Sequence, residues 1–221
     1  MTRWTAEQGV TLVEITVVLM VVAILTSAAA PIASRTIERA RLSRAITDMQ
    51  AIRDALSTFI IDIPAAFRGP KIDASAAGDA VTNEVDMLVS DGDIPLLGAG
   101  NANWLNPVSQ TGVMAVDFLE NHLIKNLPYD GAIPATNLPY ATSGWHGAYI
   151  NGPLDPDPWG NRYMVNTEWL EGTAAERQND TFVVTAGPNE LIDTQWAMDG
   201  AVSGDDDMLV IVRRGTGELV P

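Results

Sequence analysis

The chain has 221 residues, no cysteine and a formal net charge of −15 at pH 7. Its length suits one folded domain plus a helical extension, and the missing cysteines exclude a disulfide-stapled fold. The charge is unevenly spread: up to Ile61 six basic residues face five acidic ones, and beyond it seven basic residues face twenty-three acidic ones. The acidic part should repel nucleic acid and anionic lipid, so no nucleic-acid partner is expected.

From Val10 to Ala33 the only charge is Glu14 and the only helix breaker is Pro31. At ~1.5 Å per residue this stretch spans ~36 Å as a helix, enough for a hydrocarbon core of ~30 Å. A carboxylate inside it costs roughly 2.5–3.5 kcal/mol on insertion scales. A positive charge on a neighbouring chain would offset that, and a free amine at Val10 would serve if the chain were cut after Gly9. Two plainer readings are an ordinary secretory signal, cut near Ala28-Ala29-Ala30, and a simple signal-anchor helix. Neither accounts for an acid so close to Gly9. Arg35, Arg39, Arg41 and Arg44 follow the apolar run while only Arg3 precedes it, which by the positive-inside rule favours a cytoplasmic acidic part.

Beyond Pro31 the pattern turns amphipathic. Leu42, Ile46, Met49, Ile52, Leu56, Phe59 and Ile63 recur at spacings of three and four, a helical stripe suited to a core. The expectation is one helix from Val10 to Ile61, loosened near Pro31 and ended by Pro64 and Gly69-Pro70. Residues 64–111 read as an irregular connection with one short helix, carrying apolar clusters at Met87-Leu88-Val89 and Ile94 to Leu97. Val113 to Leu127 reads as a second helix ended by Pro128, and 128–146 as loop. Short β-branched or aromatic runs at Ala148–Ile150, Tyr163–Val165, Thr181–Thr185 and Met208–Val212 read as strands. Four short strands after a long helix predict an α+β roll, with a small antiparallel sheet packed across the helix. Gly200 to Asp207 and the C-terminal tail are expected to be the most flexible pieces.

Two clusters stand out in the acidic part. In Asp157-Pro158-Trp159-Gly160-Asn161, Pro158 fixes φ, Gly160 can take positive φ and Asn161 can bond nearby backbone, so a rigid turn is expected. Trp159 and Tyr163 would pack over the helix. The second cluster, Gly187 to Asp193 with Gly204 to Asp207 in one loop between the last two strands, offers oxygens of the kind calcium takes from a flexible loop, or else a solvated acidic loop. Signals for an enzyme are weak, with no cysteine nucleophile, no Gly-x-Ser-x-Gly and no phosphate loop. His122 and His146 are isolated, His122 on the expected second helix in a surface or partly packed role.

The N-terminal segment Gly9-Val10-Thr11-Leu12-Val13-Glu14, with the apolar run after it, resembles the signal of type IV pilins and pseudopilins. The resemblance implies a leader, residues 1–9, removed by a prepilin peptidase after Gly9. It also implies methylation of the new N-terminal Val10, a glutamate at the fifth mature position (Glu14) and a helix-loosening proline, here Pro31. Val10 departs from the usual phenylalanine, and Glu7 offsets Arg3 in the leader. Asp157-Pro158-Trp159-Gly160-Asn161 is similar to a motif of the major pseudopilin of type II secretion systems, and Gly144 to Tyr149 to another of its segments. The likeness covers residues 9–63 and 144–213, while 64–143 match nothing in that family. It implies a calcium ion held by Asp205, Asp206, Asp193 and Asn189. The expected divisions are a leader (1–9), a transmembrane or filament-core helix (10–33), its amphipathic half (34–63), a variable connection (64–146) and a sheet with an acidic loop (147–221). The implied function is a structural subunit of a periplasmic pseudopilus, anchored in the inner membrane. Its partners would be other copies, minor pseudopilins and an inner-membrane assembly platform. The alternatives are a type IV pilin in a surface filament and a membrane-anchored binding protein that never polymerises.

Overall fold

The computed structural model describes residues 11–62, 72–73, 82–83, 87–98, 104, 116–127, 145–167, 179–196, 204, 206–215 and 219–220. The chain divides into two compact units, Met1–Arg41 and Leu42–Pro221. One helix, α1 (Leu12–Asp62), belongs to both.

From Leu12 to Ala33 the helix carries no charge but Glu14, and its large side chains from Leu12 to Leu25 are exposed. The hydroxyls in this stretch are satisfied within the helix: Thr16 donates to the Leu12 carbonyl, Thr26 to Val22, Ser27 to Ile24 and Ser34 to Ala30. Such internal bonding removes the cost of exposing hydroxyls to an apolar medium. The helix is long and apolar enough to cross a membrane. Pro31 lies inside it without ending it, although its missing N–H removes one rung of the backbone ladder.

The second unit is an α+β assembly. Its strands are β1 (Ile72–Asp73), β2 (Thr82–Asn83), β3 (Met87–Val89), β4 (Leu96–Leu97), β5 (Val116–Phe118), β6 (Met164–Asn166), β7 (Thr181–Thr185), β8 (Leu191–Ile192) and β9 (Met208–Arg213), with a short helix α2 (Leu119–Leu123) after β5. Five of them form one sheet in the order β5-β3-β6-β7-β9, while β1 pairs with β2 and β4 with β8.

Both faces of the five-stranded sheet are covered. On one face Leu88, Val165, Val183 and Val212 meet Met49, Ile52, Leu56 and Phe59 of α1. On the other, Met87, Val89, Met164, Phe182 and Val184 meet Trp104, Ile192 and Trp196. Alternate residues of each strand therefore serve two cores, and all five residues of β7 are buried. Trp104 and Trp196 stack edge to face at 4.6 Å between ring centroids, and the Trp104 indole donates to the Thr194 carbonyl at 2.8 Å. At the β9 edge Leu219 bridges Arg213, and Val220 N–H donates to the Val212 carbonyl.

Several expectations need correction. The sheet is mixed, because β5 runs parallel to β3; the other neighbouring strands of the five are antiparallel. The cluster at Met87–Val89 is no part of a loose connection. It is a strand inside the sheet, and β4 within the same region runs parallel to β8. Val113 to Leu127 is not one helix: β5 comes first and the helix holds only Leu119–Leu123. Ala148–Ile150 forms no strand; Tyr149 instead packs edge-on against Phe59 at 5.3 Å. The buried stripe of α1 runs Ala45, Met49, Ile52, Ala55, Leu56 and Phe59, and Ile46 is exposed. Ile63 and most of 128–146 lie outside the described residues.

Candidate functional site

Glu14 sits in the first turn of α1. Its backbone N–H donates to the Thr11 hydroxyl at 3.3 Å, and Ile15 N–H donates to the Thr11 carbonyl at 3.2 Å. Thr11 thus caps the helix, and Glu14 occupies the position three residues on, where a carboxylate favours the positive end of the helix dipole. The Thr-x-x-Glu spacing of a capping box was the signal in the sequence for this local role. Among the described residues no side chain pairs with the Glu14 carboxylate. Gly9 and Val10 lie outside the described residues.

The turn from Asp157 to Asn161 is built around one buried carboxylate. Asp157 Oδ1 accepts from the backbone N–H of Trp159 and of Asn161, both at 2.9 Å. Its Oδ2 accepts a hydrogen bond from the Thr185 hydroxyl at the end of β7. Asp157 N–H donates to the Asn161 carbonyl at 2.8 Å, and Gly160 N–H returns to the Asp157 carbonyl at 3.0 Å. Gly160 takes φ +102°, which a side chain would strain. The turn is also clamped from outside, since Asp93 N–H donates to the Gly160 carbonyl and Arg162 N–H to the Asp93 carbonyl. Tyr163, the next aromatic, is buried under α1, and its hydroxyl donates to Asp48 at 3.1 Å. Burial, more than the Asp48 charge, holds its phenol far above the usual range. Burial likewise pulls the Arg162 guanidinium down, against the raising effect of Asp91 and Asp93.

The acidic loop is tied to itself. Asp206 Oδ2 accepts from Asn189 N–H at 3.0 Å, and Asn189 Oδ1 accepts from Leu191 N–H at 2.7 Å. Gly187, at φ +66°, leaves room for the Asp206 backbone, where a Cβ would collide with the Asp206 carbonyl. Asp207 points inward. Its Oδ2 accepts from Asp193 N–H at 2.9 Å and from the Thr194 N–H and hydroxyl, both at 2.6 Å. Burial raises the Asp207 carboxyl, and those three donors oppose the rise. Asp205 lies outside the described residues. Asp206, Asn189 and Asp193 belong to this one loop system, but no group of three acidic or histidine side chains converges among the described residues. Among the described residues no hydrogen-bond donor reaches the buried Asp206 Oδ1 and Asp207 Oδ1. Buried carboxylate oxygens left so are costly, and a hard cation with oxygen ligands fits that need.

Sequence reasoning missed two polar centres. Asp117, at the β5–α2 junction, is buried. Its Oδ1 accepts from Phe118 N–H and from the Asn121 amide, both at 2.7 Å, and its Oδ2 meets His122 Nε2 at 2.8 Å. His122 is therefore fully inside, not at the surface. The Asp-x-x-x-Asn-His spacing was the available signal, masked by reading a helix through all three. The second centre is Asn166, whose amide bridges the carbonyls of Asp180 and Trp196 while its oxygen accepts from Phe182 N–H. His146 is exposed, 3.7 Å from Asp62.

Comparison with known proteins gives no match, whether to a family model, a curated protein or a solved structure.

Proposed function

We propose that this protein is a structural subunit of a filament, closest in kind to the pseudopilus that drives export by type II secretion systems. The observation that carries the reading is the first half of α1. It exposes an unbroken apolar surface whose hydroxyls are all turned inward to the helix, with Glu14 as its one charge. A bilayer, and then a bundle of such helices, would cover that surface. The precursor waits in the inner membrane with its acidic part in the periplasm, an orientation set by a leader whose cleavage site must face the cytoplasm, against the positive-inside tendency of Arg35 to Arg44. A prepilin peptidase cuts after Gly9, and the new Val10 amine of one copy pairs with Glu14 of another. The Asp157 turn gives the head a rigid corner. Calcium, held by Asp206 with Asp205 and the neighbouring Asn189 and Asp193, would supply positive charge to the two unpartnered oxygens and stiffen the loop.

The test is Glu14→Ala in the native host. Truncating one partner of a buried ion pair costs about 3–5 kcal/mol, so filament yield should collapse while the head stays folded. Intact mass should show loss of residues 1–9 in both forms. Normal yield in the variant, or an uncut parent, would sink the proposal. Deleting the gene separates the two filament readings: a pseudopilus is needed for secreted enzymes, a surface pilus for surface filaments.

A further inference from the structure

Charge along this chain is segregated, and the two exposed patches of opposite sign are also apolar. The first patch lies on α1 within the first unit. Ile32, Arg35 and Arg39, at spacings of three and four, share one helix face. All three are exposed, Ile32 by 68 %. Among the described residues the salt bridges within this helix use other arginines: Arg41 with Glu38 at 4.0 Å, Arg44 with Asp48 at 3.4 Å and Arg53 with Asp54 at 2.7 Å. The second patch lies on the segment leading into β4. Asp91, Asp93, Ile94 and Leu96 are exposed, Ile94 by 57 % and Leu96 by 69 %. Exposed Glu190 stands beside them, its carbonyl accepting from Leu96 N–H at 2.9 Å.

This second patch is rigid. The Asp93 backbone is hydrogen-bonded on both sides to the Asp157 turn, and Leu96 is paired with Leu191. Two large aliphatic side chains held out on a fixed segment, beside three carboxylates that outnumber the one neighbouring guanidinium of Arg162, are a poor solution for a free surface. They are a good one for a contact with an apolar, basic partner.

We propose that this β4 edge is the docking surface for the Ile32–Arg35–Arg39 face of α1 from a second copy of the chain. The inference rests on the filament reading, which supplies the second copy. Charge complementarity selects the occupant: beyond Ile61 the chain is strongly acidic, and the cluster Arg35 to Arg44 holds four of its thirteen basic residues. Ile94 and Leu96 take Ile32, while Asp91 and Asp93 take Arg35 and Arg39. The pairing gives each subunit a head-to-helix contact in addition to helix bundling. It is heterologous, one patch meeting a different one, and so propagates along a filament instead of closing a dimer.

The chain has no cysteine, so introduced thiols report only on chosen pairs. Two differently tagged full-length copies are co-expressed in the native host, one carrying Ile32→Cys and the other Ile94→Cys, and mixed disulfides are scored after mild oxidation. A disulfide forms only when the Cα atoms come within about 7 Å. Leu19→Cys in both copies reports helix bundling separately. The expected result is a tag-mixed dimer from the 32–94 pair. Adding Arg35→Asp with Arg39→Asp should lower it about tenfold or more, and Asp91→Arg with Asp93→Arg in the other copy should restore it. Leu19 dimers without 32–94 dimers, or 32–94 dimers indifferent to charge reversal, overturn the docking surface and leave the filament standing. Absence of both kinds of dimer overturns both.

Discussion

Replacing Asp157 tests how much of the head hangs on one carboxylate. The side chain is 4 % exposed and accepts from the Trp159 and Asn161 N–H groups and the Thr185 hydroxyl. A hydrogen bond to a charged group contributes about 1.5–3 kcal/mol, and leaving a buried donor unsatisfied costs about 1–3 kcal/mol. Asp157→Ala strands three donors at once, and even the low end of that range gives a loss of about 3–5 kcal/mol. Asp157→Asn keeps one oxygen for the two backbone groups, and the Thr185 hydroxyl can rotate to accept from the new amide. That variant should lose only about 1 kcal/mol. Urea unfolding of the full chain in detergent, followed by tryptophan fluorescence, reads mainly the head, because five of the six tryptophans belong to the second unit and Trp104 and Trp196 lie in its second core. The midpoint should fall steeply for alanine and slightly for asparagine at unchanged slope. An alanine variant within about 1 kcal/mol of the parent would refute the view that this turn is held by its carboxylate.

Other outcomes follow from the same geometry. Tyr163→Phe should cost about 1 kcal/mol at neutral pH through the lost bond to Asp48. The Tyr163 phenol is raised in the fold, so its contribution is complete below the ordinary value near 10 and is lost as pH rises beyond it, where only the unfolded chain sheds the proton. Parent and variant stabilities should therefore converge above pH ~10, and a constant gap would contradict this. Trp104→Ala should destabilise the head by about 3–5 kcal/mol, measured by the same urea series; a small effect would mean that the second core does not depend on it. Calcium should raise the melting temperature of the parent, and Asp205→Ala with Asp206→Ala should abolish that rise. Equal melting of the parent with calcium and with chelator would count against the site.

What could be read from the sequence divides by physical cause. The helix was legible because a helical pattern that holds for 51 residues with Pro31 as its one breaker, about four times an ordinary helix, leaves little choice. Strands β6, β7 and β9 were legible because β-branched runs bounded by turn residues have few other homes. Strands β3 and β5 were not. Each is three residues long, and β3 is buried on both faces, so it shows an apolar cluster without alternation. Their partners are also distant in sequence: Leu88 pairs with Val165 and with Asp117. Ala45 is buried and Ile46 exposed because the inner face of α1 steps through 45, 49, 52, 56 and 59, at spacings of four and three that pass over 46. The Asp157 turn was legible as a turn, but the Thr185 hydroxyl that completes it comes from another element. The direction of Asp207, inward to Thr194, depended on a loop whose course no local rule specifies.

The way β9 is finished bears on how the head would meet copies of itself. An outermost strand offers a row of unused N–H and C=O groups, the usual starting point for sheets that zip together edge to edge. Here the chain doubles back, so that Leu219 and Val220 engage Arg213 and Val212. The short return works as a fender. It occupies one end of a row that a neighbour's strand would otherwise extend, and so favours contact through side chains over fusion of backbones. Removing it should leave the head folded yet prone to amorphous association. A tag placed after Val220 would meet the same edge, so reporters are better attached elsewhere.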